Sequence, residues 1–496
     1  MMHLAISRGH GKRMRRGYIA MRFLIILFSL IVLPAYAFAE DNGKILYDKW
    51  CSQCHGEKGD GKGPAADFVF PKPRDFTKGT YKFHSTASGE PALDSDIARS
   101  IREGNPGTSM PAWEMFSEDN VKYLVIYLKK FSPDAFTTNG TPLKVVKPSG
   151  SKEKLIALGK EMYEKAKCWE CHGKAGRGDG DKGMQEKFKD DWGNRIYPAD
   201  QTSPWEYRKG SDLNDIFITI TAGIDGTPMT SYGDTVSDEK RWALAYYVKS
   251  QQQVRKPGPA LRVTKVDAIP SSTDDPVWNN VDYLDLPMAG QIIFDPRDFK
   301  PVITNARVRG VYTGSELAVM LEWTGKKHNI GDDGHPPDAA RIQFPAKTSE
   351  GSRPYFVMGD KKSSVNIWQW KASDNLGVEF NAQGPLSFTQ REKQDIQVTP
   401  VYKNGQYRIM FKRALKTGGK DDTSFEIGKF IPFAVTLCDG RNDEENFKAA
   451  ISAWYFMELE PPVPVKVYII PPIVFIAALG IGLILHKRLK RKGLNV

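Results

Sequence analysis

The pattern Cys-x-x-Cys-His occurs twice, at residues 51–55 and 168–172, and each copy sits at the same place in a repeated stretch of chain. Gly43, Lys44 and Tyr47 lead into the first copy, and Gly159, Lys160 and Tyr163 lead into the second. The first cysteines, Cys51 and Cys168, are 168 − 51 = 117 positions apart, and a run rich in Gly, Asp and Lys follows each motif. The repeats also close alike. Ser117-Glu118-Asp119 and Ser237-Asp238-Glu239 read as helix N-caps with acids in the first turn, where the helix dipole favours negative charge. Behind them Leu124, Tyr127 and Leu128 match Leu244, Tyr247 and Val248 at helical spacing. The pattern predicts one all-α unit used twice, at 40–135 and 150–256, with the Pro-, Ser-, Thr- and Gly-rich segment from Ser132 to Gly150 as linker.

Five cysteines are present, four of them in the two motifs and Cys438 alone. In Cys-x-x-Cys-His the two sulfurs can reach both vinyl groups of one haem to form thioethers, while the His is held beneath the iron. This reading makes Cys51, Cys54, Cys168 and Cys171 the attachment points of two covalent c haems, with His55 and His172 as iron ligands. A zinc site would need a second paired ligand set beside each motif, and neither copy offers one. Both copies resemble the class I cytochrome c family, in which the first and last helices cross over the haem. The resemblance implies a Met ligand on a loop before the last helix. Met110 in Gly107-Thr108-Ser109-Met110-Pro111 and Met229 in Gly226-Thr227-Pro228-Met229 fit, 110 − 55 = 55 and 229 − 172 = 57 positions after their histidines. Core packing is the plainer role for either Met, and His84 is a rival ligand in the first copy. Met/His ligation leaves no open iron position, so electron transfer is expected.

Strongly apolar stretches occur only at the two ends. Phe23 to Ala39 follows Arg8, Lys12, Arg13, Arg15, Arg16 and Arg22 and closes on Ala37-Phe38-Ala39, the form of a secretory signal peptide over 1–39. Val467 to Leu485 is just long enough to cross a bilayer as a helix, and Lys487, Arg488, Lys490, Arg491 and Lys492 follow it in a tail at 486–496. Positive charge stays inside, so the expectation is a single-pass protein with its bulk in the periplasm and its tail in the cytoplasm. The six cations of the leader and the five of the tail account for the whole net charge of +11. The exported body is therefore neutral, which argues against nucleic acid as a partner.

From 260 to 462 the texture changes to short alternating runs divided by Gly, Pro, Asn and Asp. Leu317, Val319, Leu321 and Trp323 alternate with Ala318, Met320 and Glu322, and Tyr407, Ile409 and Phe411 alternate with Arg408, Met410 and Lys412. Period two predicts strands with one buried face, in an antiparallel β-sandwich. Particular segments go further: Ile342-Gln343-Phe344-Pro345, Tyr355-Phe356-Val357-Met358-Gly359-Asp360, Val365-Asn366-Ile367-Trp368-Gln369-Trp370-Lys371, Phe433-Ala434-Val435 and Asp439-Gly440. They resemble the haem-b-binding gamma subunit of ethylbenzene dehydrogenase, a family whose relatives serve molybdenum enzymes such as selenate and chlorate reductases and nitrite oxidoreductases. The resemblance implies one non-covalent haem b ligated by Met358 and by Lys448. Cys438 stands where the family often has Trp and reads as a buried, inert thiol. His328 and His335 are further ligand candidates, on a Gly- and Pro-rich segment that suggests a mobile loop.

What the resemblance implies overall is a non-catalytic haem subunit of a nitrite oxidoreductase- or nitrate reductase-like molybdoenzyme. It would relay electrons between an iron-sulfur subunit, beside a molybdopterin catalytic subunit, and a soluble cytochrome c or terminal oxidase. Two other classes stay open: a diheme cytochrome whose sandwich is a haem-free docking module, and a diheme peroxidase.

Overall fold

The computed structural model describes residues 40–347, 353–385, 387–418, 422–462 and 466–491. The leader expected over 1–39 and the end of the basic tail lie outside them. The chain opens on helix α1 at residues 40–50, followed by α2 (Ser52–His55), α3 (Asp94–Glu103) and α4 (Glu118–Lys129). The second helical region repeats this order with α5 (Lys152–Lys165), α6 (Trp169–His172), α8 (Leu213–Ala222) and α9 (Asp238–Gln251), and adds the short α7 (Asp181–Met184) after α6. Ser117 accepts from the N–H of Asn120, the cap that the sequence pattern implies.

The residues kept by the repeat are those that fix the crossing of first and last helices. A Cβ at Gly43 would stand 2.3 Å from the Tyr123 carbonyl oxygen, and one at Gly159 would stand 2.0 Å from that of Ala243. Only glycine permits so close a backbone approach. Tyr47 then meets Tyr127 with tilted rings 5.4 Å apart, and Tyr163 meets Tyr247 edge-on at 5.3 Å. Their hydroxyls donate to the carbonyls just after each motif, Tyr47 to Gly56 at 2.7 Å and Tyr163 to Gly173 at 2.8 Å. One glycine and one tyrosine thus seat each Cys-x-x-Cys-His turn on the helix crossing. Gly159→Val is expected to lower the stability of the second helical region by about 3 kcal/mol through overpacking, seen as an earlier loss of helical circular dichroism on heating.

The two helical regions are locked together by charge. Arg99 grips Asp215 with two hydrogen bonds of 2.5 and 2.8 Å, and Lys82 meets the buried Asp190 at 3.1 Å. His84 is consumed here as well. Its Nε2 lies 3.2 Å from Asp225 and its Nδ1 2.9 Å from Thr86 Oγ1.

From residue 260 to 459 the chain is built mainly of strands, with the short helix α10 (Val277–Asn280) between the first and the second. In order they are β1 (Ala260–Lys265), β2 (Tyr283–Pro287), β3 (Ala289–Gly290), β4 (Asn305–Tyr312), β5 (Glu316–Thr324), β6 (Ala339–Pro345) and β7 (Val365–Lys371). There follow β8 (Gly377–Ala382), β9 (Thr389–Gln390), β10 (Gln397–Lys403), β11 (Gln406–Ala414), β12 (Phe430–Cys438), β13 (Ala450–Ile451) and β14 (Tyr455–Leu459). Their hydrogen-bonded path runs β10-β11-β5-β4-β1-β14-β12-β6-β7-β8-β9. The expectation of a purely antiparallel arrangement needs correction, because β1 pairs in parallel with both β14 and β4. Alternation reports which side a residue faces and carries no strand direction. β1 enters directly from the second helical region and slots into the middle of the path.

A second correction concerns burial. Leu317, Val319, Leu321, Trp323, Tyr407, Ile409 and Phe411 enter the main core as their period predicts. The opposite face of β5 and β11 is covered too, with Ala318, Met320 and Met410 packed against Trp278, Val281 and Val311. Across the main core, strands distant along the path face each other. Trp323 lies 6.3 Å from Trp370, Trp368 lies 6.3 Å from Phe411, and fully buried Arg413 meets Glu379 at 3.2 Å.

Buried acids gather at the Asp439 end of β12. Burial, and then the neighbouring Asp439 charge, raise Glu444 to about 8, while burial and the charge of Asp338 raise Asp439. A carboxyl raised in the folded state takes up a proton more readily than in the unfolded chain. Its stabilising contribution is therefore complete below the unfolded value near 4.3 and is lost as pH rises through about 8. Calorimetry should show the strand region losing on the order of 2 kcal/mol between mildly acidic and alkaline pH. Asp439→Asn, which keeps an acceptor for the Arg441 N–H, should flatten that decline.

A single long apolar helix, α11 (Lys466–Arg491), closes the described chain, and its segment Val467–Arg488 is long and apolar enough to cross a membrane.

Candidate functional site: two Cys-x-x-Cys-His turns and a buried methionine

Both motifs form one tight helical turn. The His55 N–H reaches the Cys51 carbonyl at 2.9 Å, and the His172 N–H reaches that of Cys168 at 2.9 Å. This turn gathers both cysteines and the histidine within a single helical turn. Burial pushes the Cys51 thiol up to about 12 and the Cys168 thiol up to about 11, so both are neutral near pH 7. Burial also lowers both histidines, favouring neutral imidazole.

Each imidazole is aimed by a backbone carbonyl: His55 Nδ1 lies 3.0 Å from the Arg74 oxygen and His172 Nδ1 lies 3.0 Å from the Ala199 oxygen. A proton held on Nδ1 leaves Nε2 free as a metal ligand. The carbonyls themselves are fixed by an Asp one residue on. Asp75 accepts from the N–H and hydroxyl of Thr77, and Asp200 does the same from Thr202. The sequence reading missed this support, although it is written there as Pro73-Arg74-Asp75-Phe76-Thr77 against Pro198-Ala199-Asp200-Gln201-Thr202.

The loops carrying Met110 and Met229 are also duplicates. The Met110 N–H donates to Thr108 Oγ1 at 3.1 Å, and its carbonyl accepts from Asn105 at 3.1 Å. The Met229 N–H donates to Thr227 Oγ1 at 3.2 Å, and its carbonyl accepts from Ile224 at 3.0 Å. Both thioethers are half-buried. The surroundings suit a porphyrin. Apolar clusters run from Tyr47 to Leu128 and from Met162 to Val248, and two buried donors beside them, Tyr81 Oη and Trp242 Nε1, have no partner among the described residues. No group of three or more His, Cys, Asp or Glu among the described residues could hold a bare metal ion.

Met358 occupies a different setting. It is 7% exposed and packs with Val365, Ile367 and Ala382 against Phe380, Phe388, Phe447 and Trp454. Its φ of 59° is a strained conformation for a side-chain-bearing residue. The strain is held on both sides, by the Met358 N–H donating to Gln343 Oε1 at 3.2 Å and the Gly384 N–H donating to the Met358 carbonyl at 2.8 Å. A thioether held in place among aromatic side chains is the kind of soft donor that a non-covalent haem would take. Lys448 is adjacent to that pocket through Phe447, but its ammonium donates to the Asn442 carbonyl at 2.9 Å. Phe447 and Lys448 close a tight turn, in which the Lys448 N–H donates to the Glu445 carbonyl at 3.0 Å and Asn446 takes a φ of 55°, and within it Phe447 packs against the Met358 cluster while the Lys448 ammonium is spent on Asn442.

His328 and His335 are tied down where a mobile loop was expected. His328 Nδ1 lies 2.9 Å from Tyr407 Oη and His335 Nδ1 2.8 Å from Asp443, while Asn329 closes the loop onto Asp338 and Pro336. Cys438 is 2% exposed between Ala339 and Ala449, and burial raises its thiol to about 12.

The second motif abuts the strand region. Asp200 accepts from Thr324 Oγ1 at 2.8 Å, Lys326 donates to the Arg177 carbonyl at 3.1 Å, and Arg177 reaches Gln406 at 3.2 Å. Thr324 ends β5, so the loop that aims His172 is bonded to the sheet.

Comparison with known proteins agrees with this division. Residues 38–128 match the family model for cytochrome c oxidase, cbb3-type, subunit III, residues 156–252 match cytochrome c, and residues 275–387 match ethylbenzene dehydrogenase. Cytochrome c domains imply covalent haem c. A Haloferax mediterranei protein inferred to be a respiratory nitrate reductase heme subunit is 27% identical over 228 residues, which cover 45% of this chain and 82% of that one. A chain from a reducing HAO-like protein complex of Kuenenia stuttgartiensis is 39% identical, covering 43% of this chain and 96% of that one with a TM-score of 0.41. A family 9 carbohydrate-binding module from Caldicellulosiruptor kristjanssonii is 10% identical, covering 41% and 97% with a TM-score of 0.27.

Proposed function

We infer, from a chain that joins two cytochrome c domains to an ethylbenzene dehydrogenase-type domain, that this protein is the membrane-anchored haem subunit of a molybdoenzyme. The bulk of it faces the periplasm. Its partners are an iron-sulfur subunit beside a molybdopterin catalytic subunit on one side, and a soluble cytochrome c or terminal oxidase on the other. The similarity to a nitrate reductase heme subunit supports that assignment. In this reading Cys51, Cys54, Cys168 and Cys171 hold two c haems, and His55 with Met110 and His172 with Met229 supply the iron ligands. Met358 supplies one ligand to a haem b. Lys448 supplies the other, once its ammonium leaves the Asn442 carbonyl and loses a proton, a change that metal binding favours. Bound haem supplies one-electron chemistry; the chain's own residues hold its plane, exclude water and bring successive sites within one folded body.

The observation that carries this reading is the identity of the two Met loops and the two aimed histidines. In this reading each unit supplies a full ligand pair, which suits electron relay and disfavours a peroxidase, where one iron must stay open. Electron paramagnetic resonance of the oxidised full-length protein should show low-spin haem only, with rapid electron exchange to added cytochrome c and no turnover of hydrogen peroxide. A high-spin signal together with peroxide turnover would make the peroxidase reading the better one.

A further inference from the structure

We propose that the turn at residues 426–430 dips into the bilayer surface and makes a second, non-spanning contact with lipid. The proposal rests on reading Val467–Arg488 as a membrane span.

Every residue from Glu426 to Phe430 is exposed, and among them Ile427 is 42% and Phe430 59% accessible, large apolar side chains with Lys429 between them. Gly428, at a φ of 77°, makes the turn tight. Neither apolar side chain is spent on the cores of the strand region.

The position of this turn is fixed by hydrogen bonds to the strand that leads into the anchor. The Gly428 N–H donates to the Leu459 carbonyl at 2.9 Å, and Phe430 pairs with Glu458 in the antiparallel ladder of β12 and β14. Between Pro462 and Val467 lie five residue steps, which fully stretched reach at most about 18 Å. Counted from Leu459, the residue the turn is bonded to, Val467 is eight steps on, so the turn lies at most about 28 Å from the start of the span. An apolar pair flanking a lysine is a composition suited to the headgroup boundary, with rings and aliphatic carbon below and the ammonium above.

The opposite end of the sheet has a different neighbour. β5 runs from Glu316 to Thr324, and Thr324 meets Asp200 of the second cytochrome c region. β12 runs from Phe430 beside β14 to Cys438 at that same far end, since Cys438 pairs with Ala339 and the neighbouring Asp439 lies near Tyr197. Nine strand residues span about 30 Å, so the turn and the covalent haem sites lie at opposite ends of the strand region. Two contacts, a helix through the bilayer and a turn on its surface, would hold this long axis upright and present the c haems outward.

The test uses full-length holoprotein reconstituted into vesicles of phosphatidylcholine and phosphatidylglycerol. Ile427→Cys and Phe430→Cys are made separately and modified with a membrane-impermeant maleimide, with mass spectrometry as the readout. Leu376→Cys, an exposed apolar position on the β7–β8 turn at the far end, reports the solution rate. Phe475→Cys, within α11, reports full protection. Both turn cysteines should react about tenfold more slowly than Leu376→Cys in vesicles, and at a similar rate to it once short-chain detergent has stripped the bilayer. Reaction of both at the Leu376→Cys rate in vesicles, with Phe475→Cys still protected, overturns the lipid contact while leaving the anchor standing. Reaction of Phe475→Cys at that same rate overturns the anchor itself, and the lipid contact with it.

Discussion

A chain in which Cys168 and Cys171 are both serine should carry one covalent haem, against the two expected on the parent. The intact mass of the mature protein falls by one porphyrin, and the c-type haemochrome amplitude falls to about half. Each motif closes on its own turn and its own carbonyl, His55 on Arg74 and His172 on Ala199, so loss of one site leaves the chemistry of the other intact. The second helical region should suffer most. Met162, Tyr163, Ile216 and Trp242 pack around the motif, and without its haem this core loses an apolar surface as large as several side chains. Unfolding of this region should then occur many degrees earlier, while Arg99 and Asp215 at the boundary pass only part of the damage to the first region. Unchanged haem content, or loss of both haems together, would show that the motifs do not act as separate attachment sites.

Met358→Ala, by contrast, should empty the strand region of extractable haem and leave both covalent haems in place. The Met358 thioether would be the soft ligand among Phe380, Phe388, Phe447 and Trp454, and its backbone is already pinned by Gln343 and Gly384. A ligand already positioned contributes its full bond strength, so removing it should weaken haem retention by a hundredfold or more, about 3 kcal/mol. Lys448 must first give up its bond to the Asn442 carbonyl. Lys448→Ala should accordingly retain part of the haem b and convert it to a high-spin form. Quantifying acid-acetone-extractable haem in the two variants separates these outcomes. Full haem retention in Met358→Ala would remove that residue from the ligand set.

The two Cys-x-x-Cys-His turns were legible because their pattern is local: five consecutive residues carry both sulfurs and the imidazole, and a duplication displays the same supports twice. Even the carbonyls that aim His55 and His172 left a trace, the repeated Pro-x-Asp-x-Thr, whose meaning appears only when Asp75 and Asp200 are seen accepting from Thr77 and Thr202. The strand region was harder. Alternation in β5 located its core-facing residues, yet nothing in the alternation says that Trp278 and Val281 cover the other face or that β1 runs parallel to its neighbours. Those are matters of connection between distant segments. Lys448 illustrates the same limit, since whether it or Phe447 faces Met358 depends on the turn at Glu445 to Lys448.

The most direct measurement is a pyridine haemochrome assay on the purified full-length protein before and after acid-acetone extraction. Two haems per chain should resist extraction with the band of a c-type haem, and one should leave with the band of a b-type haem. If no porphyrin remained on the extracted chain, the reading of Cys51, Cys54, Cys168 and Cys171 as thioether positions would be wrong, and the functional assignment would go with it.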